Sequence, residues 1–202
     1  MSLAQALHTI LIRPGLGHYD EGHAGRLLSI AGDSRAVDAL LLQFFALEEK
    51  DDLYVTALRL ENLNDKRAVR PLIRALLEDL NPHRRHAAAR ALGWIRKPGR
   101  AAALALARCL ADPTQPQAAR EEAAESLAYV GSWETVDALI SVLGDTDVRL
   151  RFWAVWGTGG CVKDPRAFRA LESMLDDLEV TPGGWWSVGK EALGMLAKSD
   201  AY

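Results

Sequence analysis

Histidines, cysteines, arginines and tryptophans are the residues of this 202-residue chain whose types could bind or react, and their spacing sets what each could do. His83 and His86 stand three apart in Pro82-His83-Arg84-Arg85-His86, a separation that turns two imidazoles to one side of a helix start. No third ligand accompanies them in sequence and two arginines oppose a cation, so the segment reads as a solvated basic turn. His18 and His23 flank Asp20 and Glu21, a better ligand mixture, but Gly15, Gly17, Gly22 and Gly25 around them describe a connector. Gly157-Thr158-Gly159-Gly160 lacks the Lys-Ser/Thr ending and the preceding strand of a phosphate-binding loop and reads as a loosened helix end. Cys109 and Cys161 sit in apolar stretches with no histidine nearby in sequence to generate a thiolate. No Ser-His-carboxylate trio, catalytic carboxylate pair or His-Glu-x-x-His pattern can be assembled. The expectation is a chain that is not an enzyme, with no cofactor and no metal.

Binding chemistry is better represented. Arg67, Arg70 and Arg74 fall at i, i+3 and i+7, opposite the apolar stripe Val69, Leu72, Ile73, Leu76 and Leu77. This ridge of guanidiniums could dock carboxylates or phosphates bidentately. It lies in a basic stretch, Arg59 to Arg100, of eleven basic and four acidic residues, and Arg100 at its end joins the candidate contact residues. From Glu172 to Asp200 the balance reverses, with six acidic residues against two lysines. Trp185 and Trp186 follow the turn Thr181-Pro182-Gly183-Gly184, and adjacent residues point in different directions, so one of them is expected at the surface. An exposed tryptophan serves as an interface anchor or as a cap on an open end. Trp153 and Trp156 are expected to fill core positions.

The elements that position these residues are bounded by composition. Hydrophobic residues make up 49% of the chain, charged residues 25% and aromatics 7%, which supports a packed core and excludes disorder, collagen-like sequence and a disulfide scaffold. Two distant cysteines suit a reduced, cytoplasmic setting. The first residues carry no basic region of a signal peptide, and no run of eighteen apolar residues occurs, so no membrane span is expected. A net charge of -3 gives no global attraction for nucleic acid.

A repeat organises the whole chain. The third residues of Arg35-Ala36-Val37, Arg67-Ala68-Val69, Arg100-Ala101-Ala102, Glu134-Thr135-Val136 and Arg166-Ala167-Phe168 recur at steps of 32, 33, 34 and 32. Each opens an amphipathic helix, and each is preceded by an Ala-rich helix such as 82–96. Asp33, Asp65 and Asp164 are placed to cap the second helices. No segment alternates with the period of a strand, so the fold is expected to be all-α. The layout is an N-terminal capping helix and loop over 1–20, followed by one continuous repeat domain over 21–202.

The residues then resemble a known family. Asn81-Pro82 with Ala88-Ala89-Arg90-Ala91-Leu92-Gly93-Trp94-Ile95, and Asp145-Thr146-Asp147-Val148-Arg149 through Trp156-Gly157 to Asp164-Pro165-Arg166-Ala167-Phe168, resemble the short HEAT-like repeats named after phycobilisome lyases. The departures are Pro98-Gly99 and three extra residues at 161–163. The resemblance implies an α-solenoid of about five to six helix pairs whose concave face binds another protein, as adaptor, scaffold or inhibitor. A partner with an acidic patch would suit Arg67, Arg70, Arg74 and Arg100, with Trp185 and Trp186 as further contacts. The resemblance also allows a bilin-lyase-like, chromophore-handling protein, and some HEAT-like folds grip nucleic acid; the charge argues against the latter.

Overall fold

The structure is a computed structural model that describes residues 34–130, 135–161, 163–184 and 186–199. The expected capping helix and loop of 1–20, and Asp33, lie outside the described residues. Among those described, ten α-helices form: α1 Ser34–Ala46, α2 Lys50–Leu63, α3 Val69–Glu78, α4 Pro82–Trp94, α5 Arg100–Ala111, α6 Gln117–Val130, α7 Val136–Ser141, α8 Val148–Gly159, α9 Pro165–Ser173 and α10 Val188–Ser199. A 3-10 turn, Lys66–Ala68, leads into α3. The described residues contain no strand, and Val180 and Ser187 form an isolated antiparallel bridge. Every second helix expected from the repeat register is present.

Helix ends follow from local chemistry. Asn81 and Asp147 cap α4 and α8, each side chain accepting from two backbone amides, and Pro82 stands where a helix needs no N–H. Asp65 and Asp164 accept from the amides of Arg67 and Arg166, as the sequence pattern requires. Asn64 ends α2 in the left-handed region at φ 54°, and its Oδ1 accepts from the Arg96 amide at 2.8 Å, joining two successive turns.

The chain falls into two compact units divided between Pro98 and Gly99. In the first, α1 packs on α2, α3 on α4, and α4 also on α2. Leu40, Phe44, Leu53, Leu60, Leu72, Leu76 and Leu92 are fully enclosed there, and Ala88, Ala89 and Ala91 let neighbouring helices approach closely. In the second unit α6 packs on α5 and α8, α8 on α10, and α7 on α5 and α9. Leu106, Cys109, Leu110, Ala123, Ala124, Leu150, Val155 and Leu171 form its core. Trp153 and Trp156 are half-buried rather than enclosed, stacking edge-on to each other with centroids 5.7 Å apart, and Trp156 meets Tyr129 at 5.0 Å. Gly157 lies within α8 and is not part of a loop; a Cβ there would meet Leu139 Cδ2 of α7 at 2.8 Å and would have to displace that methyl.

A second periodic device runs through the turns that follow the second helices. Asp79, Asp112, Asp145 and Asp177 each accept from the amide two residues on, at 2.9–3.0 Å. Three buried arginines, Arg84, Arg120 and Arg151, reach such aspartates. Arg84 also donates to the carbonyls of Phe44 and Leu47 and pairs with Glu48. The expectation that Pro82–His86 is a solvated basic turn is therefore corrected: Arg84 is buried, and its charge is spent on Asp79 and Glu48. These buried pairs fix how one helix pair follows the next by satisfying carbonyls at helix ends.

Candidate functional site

In the first unit α1 and α3 are successive second helices, and their amphipathic stripes turn inward to α2 and α4. The outer parts of α1 and α3 leave an open groove of about 690 Å³ lined by Asp38, Leu41, Leu42 and Phe45 on one side and Arg70, Pro71 and Arg74 on the other. Its apolar wall is fixed from beneath. Phe45 stacks edge-on against Phe44, whose ring is fully enclosed, at 5.6 Å and 89°. Leu42 stands 75% exposed at the rim of this wall.

The three ridge arginines separate into two kinds. Arg67 turns back on the cap of its own helix, its Nε donating to Asp65 Oδ1 at 3.0 Å and Oδ2 at 3.1 Å, with Nη2 also paired to Oδ2. This guanidinium holds the Asp65 carboxyl below its ordinary value, against the opposing effect of partial burial. Arg70 and Arg74 are exposed and make no ion pair or hydrogen bond among the described residues. One turn apart on α3, they present two guanidiniums to the groove.

The second unit repeats the cap pairing of Arg67, and its Arg169, three residues after Arg166 as Arg70 is after Arg67, is likewise exposed. Arg166, which stands in the repeat where Arg67 does, pairs with Asp164 at 2.6 Å and reaches Asp137 of α7 at 2.7 Å. Both carboxylates raise the Arg166 pKa above its ordinary value, with Asp164 the larger cause. Arg100 is the exposed first residue of α5 in this unit and has contacts of its own. Trp186 is 42% exposed, its Nε1 donating to Glu191 Oε2 at 2.6 Å, with Lys190 Nζ 5.8 Å from the ring centre. Trp185 lies outside the described residues.

Among the described residues no three His, Cys, Asp or Glu side chains gather as a metal site. His83 is exposed, and the His18 and His23 cluster lies outside the described residues. Cys109 is buried with its Sγ 3.7 Å from the Ala119 carbonyl, and neither cysteine is in a disulfide. No helix among the described residues is long and apolar enough to cross a membrane.

A family model described as HEAT repeats matches residues 37–121 and 109–181. The chain belongs to the HEAT-repeat family. Its all-α solenoid class is shared by solved structures of low identity. An engineered protein is 18% identical, with a TM-score of 0.55 over 100% of this chain and 98% of that one. The complex of CpcE and CpcF of phycocyanin lyase from Nostoc sp. PCC7120 is 20% identical, with a TM-score of 0.58 over 96% and 76%. A designed armadillo repeat protein in complex with the peptide (KR)4 is 16% identical, with a TM-score of 0.55 over 97% and 99%. No curated protein matches the chain.

The HEAT-repeat register explains which residues the sequence pattern missed. The groove's apolar wall, Leu41, Leu42 and Phe45, belongs to a second helix whose stripe is too broad for its inward face, and that excess of leucine and phenylalanine in Leu40-Leu41-Leu42-Gln43-Phe44-Phe45 was the available signal.

Proposed function

We propose that this HEAT-repeat protein is a non-catalytic protein-interaction module whose contact surface in the first unit is the α1–α3 groove. The observation that carries the reading is the pairing of an apolar wall, exposed Leu42 and half-buried Phe45, with two guanidiniums that make no ion pair among the described residues, Arg70 and Arg74. An exposed leucine and two unpaired guanidiniums stabilise nothing in the unit, whereas arginine and phenylalanine are enriched at protein contact surfaces. The armadillo neighbour is in complex with a peptide, which supports a peptide-sized occupant for a face of this kind.

The test compares two surface leucines. Leu42 is 75% and Leu80 96% exposed, so Leu42→Glu and Leu80→Glu should both fold with melting temperatures close to the parent. In affinity capture from the source cells, Leu42→Glu should lose the bound protein while Leu80→Glu keeps it. Retention by both variants overturns the groove as the contact surface.

A further inference from the structure

We infer that the α1–α3 groove selects an extended acidic segment in which carboxylates alternate with apolar side chains; this rests on the protein-binding reading above. The groove is two-sided in chemistry. Its α3 wall carries Arg70 and Arg74, and its α1 wall carries Leu41, Leu42 and Phe45, with Asp38 at the start. Side chains four apart on a helix lie about 5–6 Å from each other, and alternate side chains of an extended chain lie about 6.6–6.8 Å apart on one face. Two carboxylates at i and i+2 therefore meet Arg70 and Arg74 in turn, while the residue between them faces the opposite side, towards Leu42 and Phe45.

Three features select against other occupants. A basic segment would meet two guanidiniums and one carboxylate. A nucleic acid backbone would gain the two arginines, but it would place phosphates against Asp38 and leave the apolar wall without a matching surface. A polar acidic segment would meet the arginines and leave Leu42 exposed. Arginine suits this task because its planar fork takes a carboxylate bidentately and tolerates an apolar neighbour better than an ammonium does.

The test uses the full chain and fluorescence anisotropy at about 150 mM salt, where exposed long-range attraction is largely screened. The labelled probes are (Glu-Leu)4, (Glu-Ser)4, (Lys-Leu)4 and a twelve-nucleotide oligothymidine. Binding of (Glu-Leu)4 should exceed that of each other probe by at least about tenfold, and the double variant Arg70→Ala/Arg74→Ala should weaken it by at least about tenfold. Equal binding of (Lys-Leu)4, tighter binding of oligothymidine, or no effect of the double variant overturns the inference. If (Glu-Leu)4 fails to bind while Leu42→Glu still abolishes capture of a protein, the acidic selectivity falls and the protein-binding reading stands. If Leu42→Glu also keeps the captured protein, both fall.

Discussion

Arg151 of α8 donates from Nε to Asp177 Oδ2 at 2.8 Å, joining a first helix to the turn after the next second helix, 26 positions along the chain. The same guanidinium donates from Nη1 to the Asp145 carbonyl at 2.8 Å and pairs with Glu179 at 3.2 Å. Its side chain is 9% exposed and that of Asp177 15%, so the pair is largely desolvated, and the carboxylates raise the arginine's pKa above its ordinary value, Asp177 foremost. Removing one member of a buried pair leaves the other charge without compensation. Arg151→Met strands the Asp177 carboxylate and should cost about 3 kcal/mol, whereas Asp177→Ala leaves the guanidinium paired with Glu179 and should cost less. Urea midpoints at constant slope measure both. Equal and small costs would show that the turns are held by backbone bonds alone.

Acid should weaken the second unit through Asp145. The amide of Asp147 and then the Arg120 guanidinium hold its carboxyl below the ordinary 3.8, while burial opposes them. A folded-state pKa below the unfolded one contributes stability that is present above about pH 4 and is lost as pH falls through the folded value. The melting temperature should therefore drop below about pH 4, and Asp145→Asn should flatten that drop while lowering stability at neutral pH. An acid limb identical in parent and variant would remove Asp145 from the linkage.

The sequence was legible where one residue type does one job. The triplets that open second helices mark α1, α3, α5, α7 and α9, because the apolar stripe and the capping aspartates act within a few residues. The alternation of helix pairs was equally readable. Arg84 was misread because its partners, Phe44, Leu47 and Glu48, are about a repeat away in sequence, and a charge beside three other cationic or basic residues looks solvated. Arg67 belongs to the predicted ridge by helical spacing, yet a carboxylate two residues earlier outcompetes solvent for its guanidinium. Periodicity shows the face a side chain starts from; the local hydrogen-bond partner decides where its head ends.

Two glycines near the end of the chain should respond in opposite directions. Gly189 is buried at the start of α10, its amide donating to the Asp177 carbonyl at 2.8 Å, and a Cβ there would meet the Leu175 carbonyl carbon at 2.8 Å and the Asp177 oxygen at 2.9 Å. Backbone cannot move aside as a flexible side chain does, so Gly189→Ala should destabilise by about 1–3 kcal/mol. Gly194, within the same helix, has nothing within 4 Å of the equivalent position. Gly194→Ala should stabilise by about 0.5–1 kcal/mol through helix propensity. Thermal melts of the two variants check the signs, and a loss at Gly194 would mean that α10 is not helical there.

The ridge arginines should divide in stability as they do in geometry. Arg67 supports the cap of the turn into α3 through Asp65, and that pair is partly exposed, with 47% of the Arg67 side chain accessible, so Arg67→Ala should cost only about 0.5 kcal/mol. Asp65→Ala also removes the side-chain acceptor of the Arg67 amide and should cost about 1 kcal/mol. Arg70 and Arg74 satisfy no group among the described residues, so Arg70→Ala and Arg74→Ala should change stability by less than Arg67→Ala does. Their effect should appear in binding alone. Paired chemical denaturation and (Glu-Leu)4 titration separate the two roles: Arg67→Ala lowers the denaturation midpoint and leaves the titration unchanged, while Arg74→Ala does the reverse. A common loss of both properties in all three variants would mean that the ridge acts through the shape of α3 and not through contact with the bound segment.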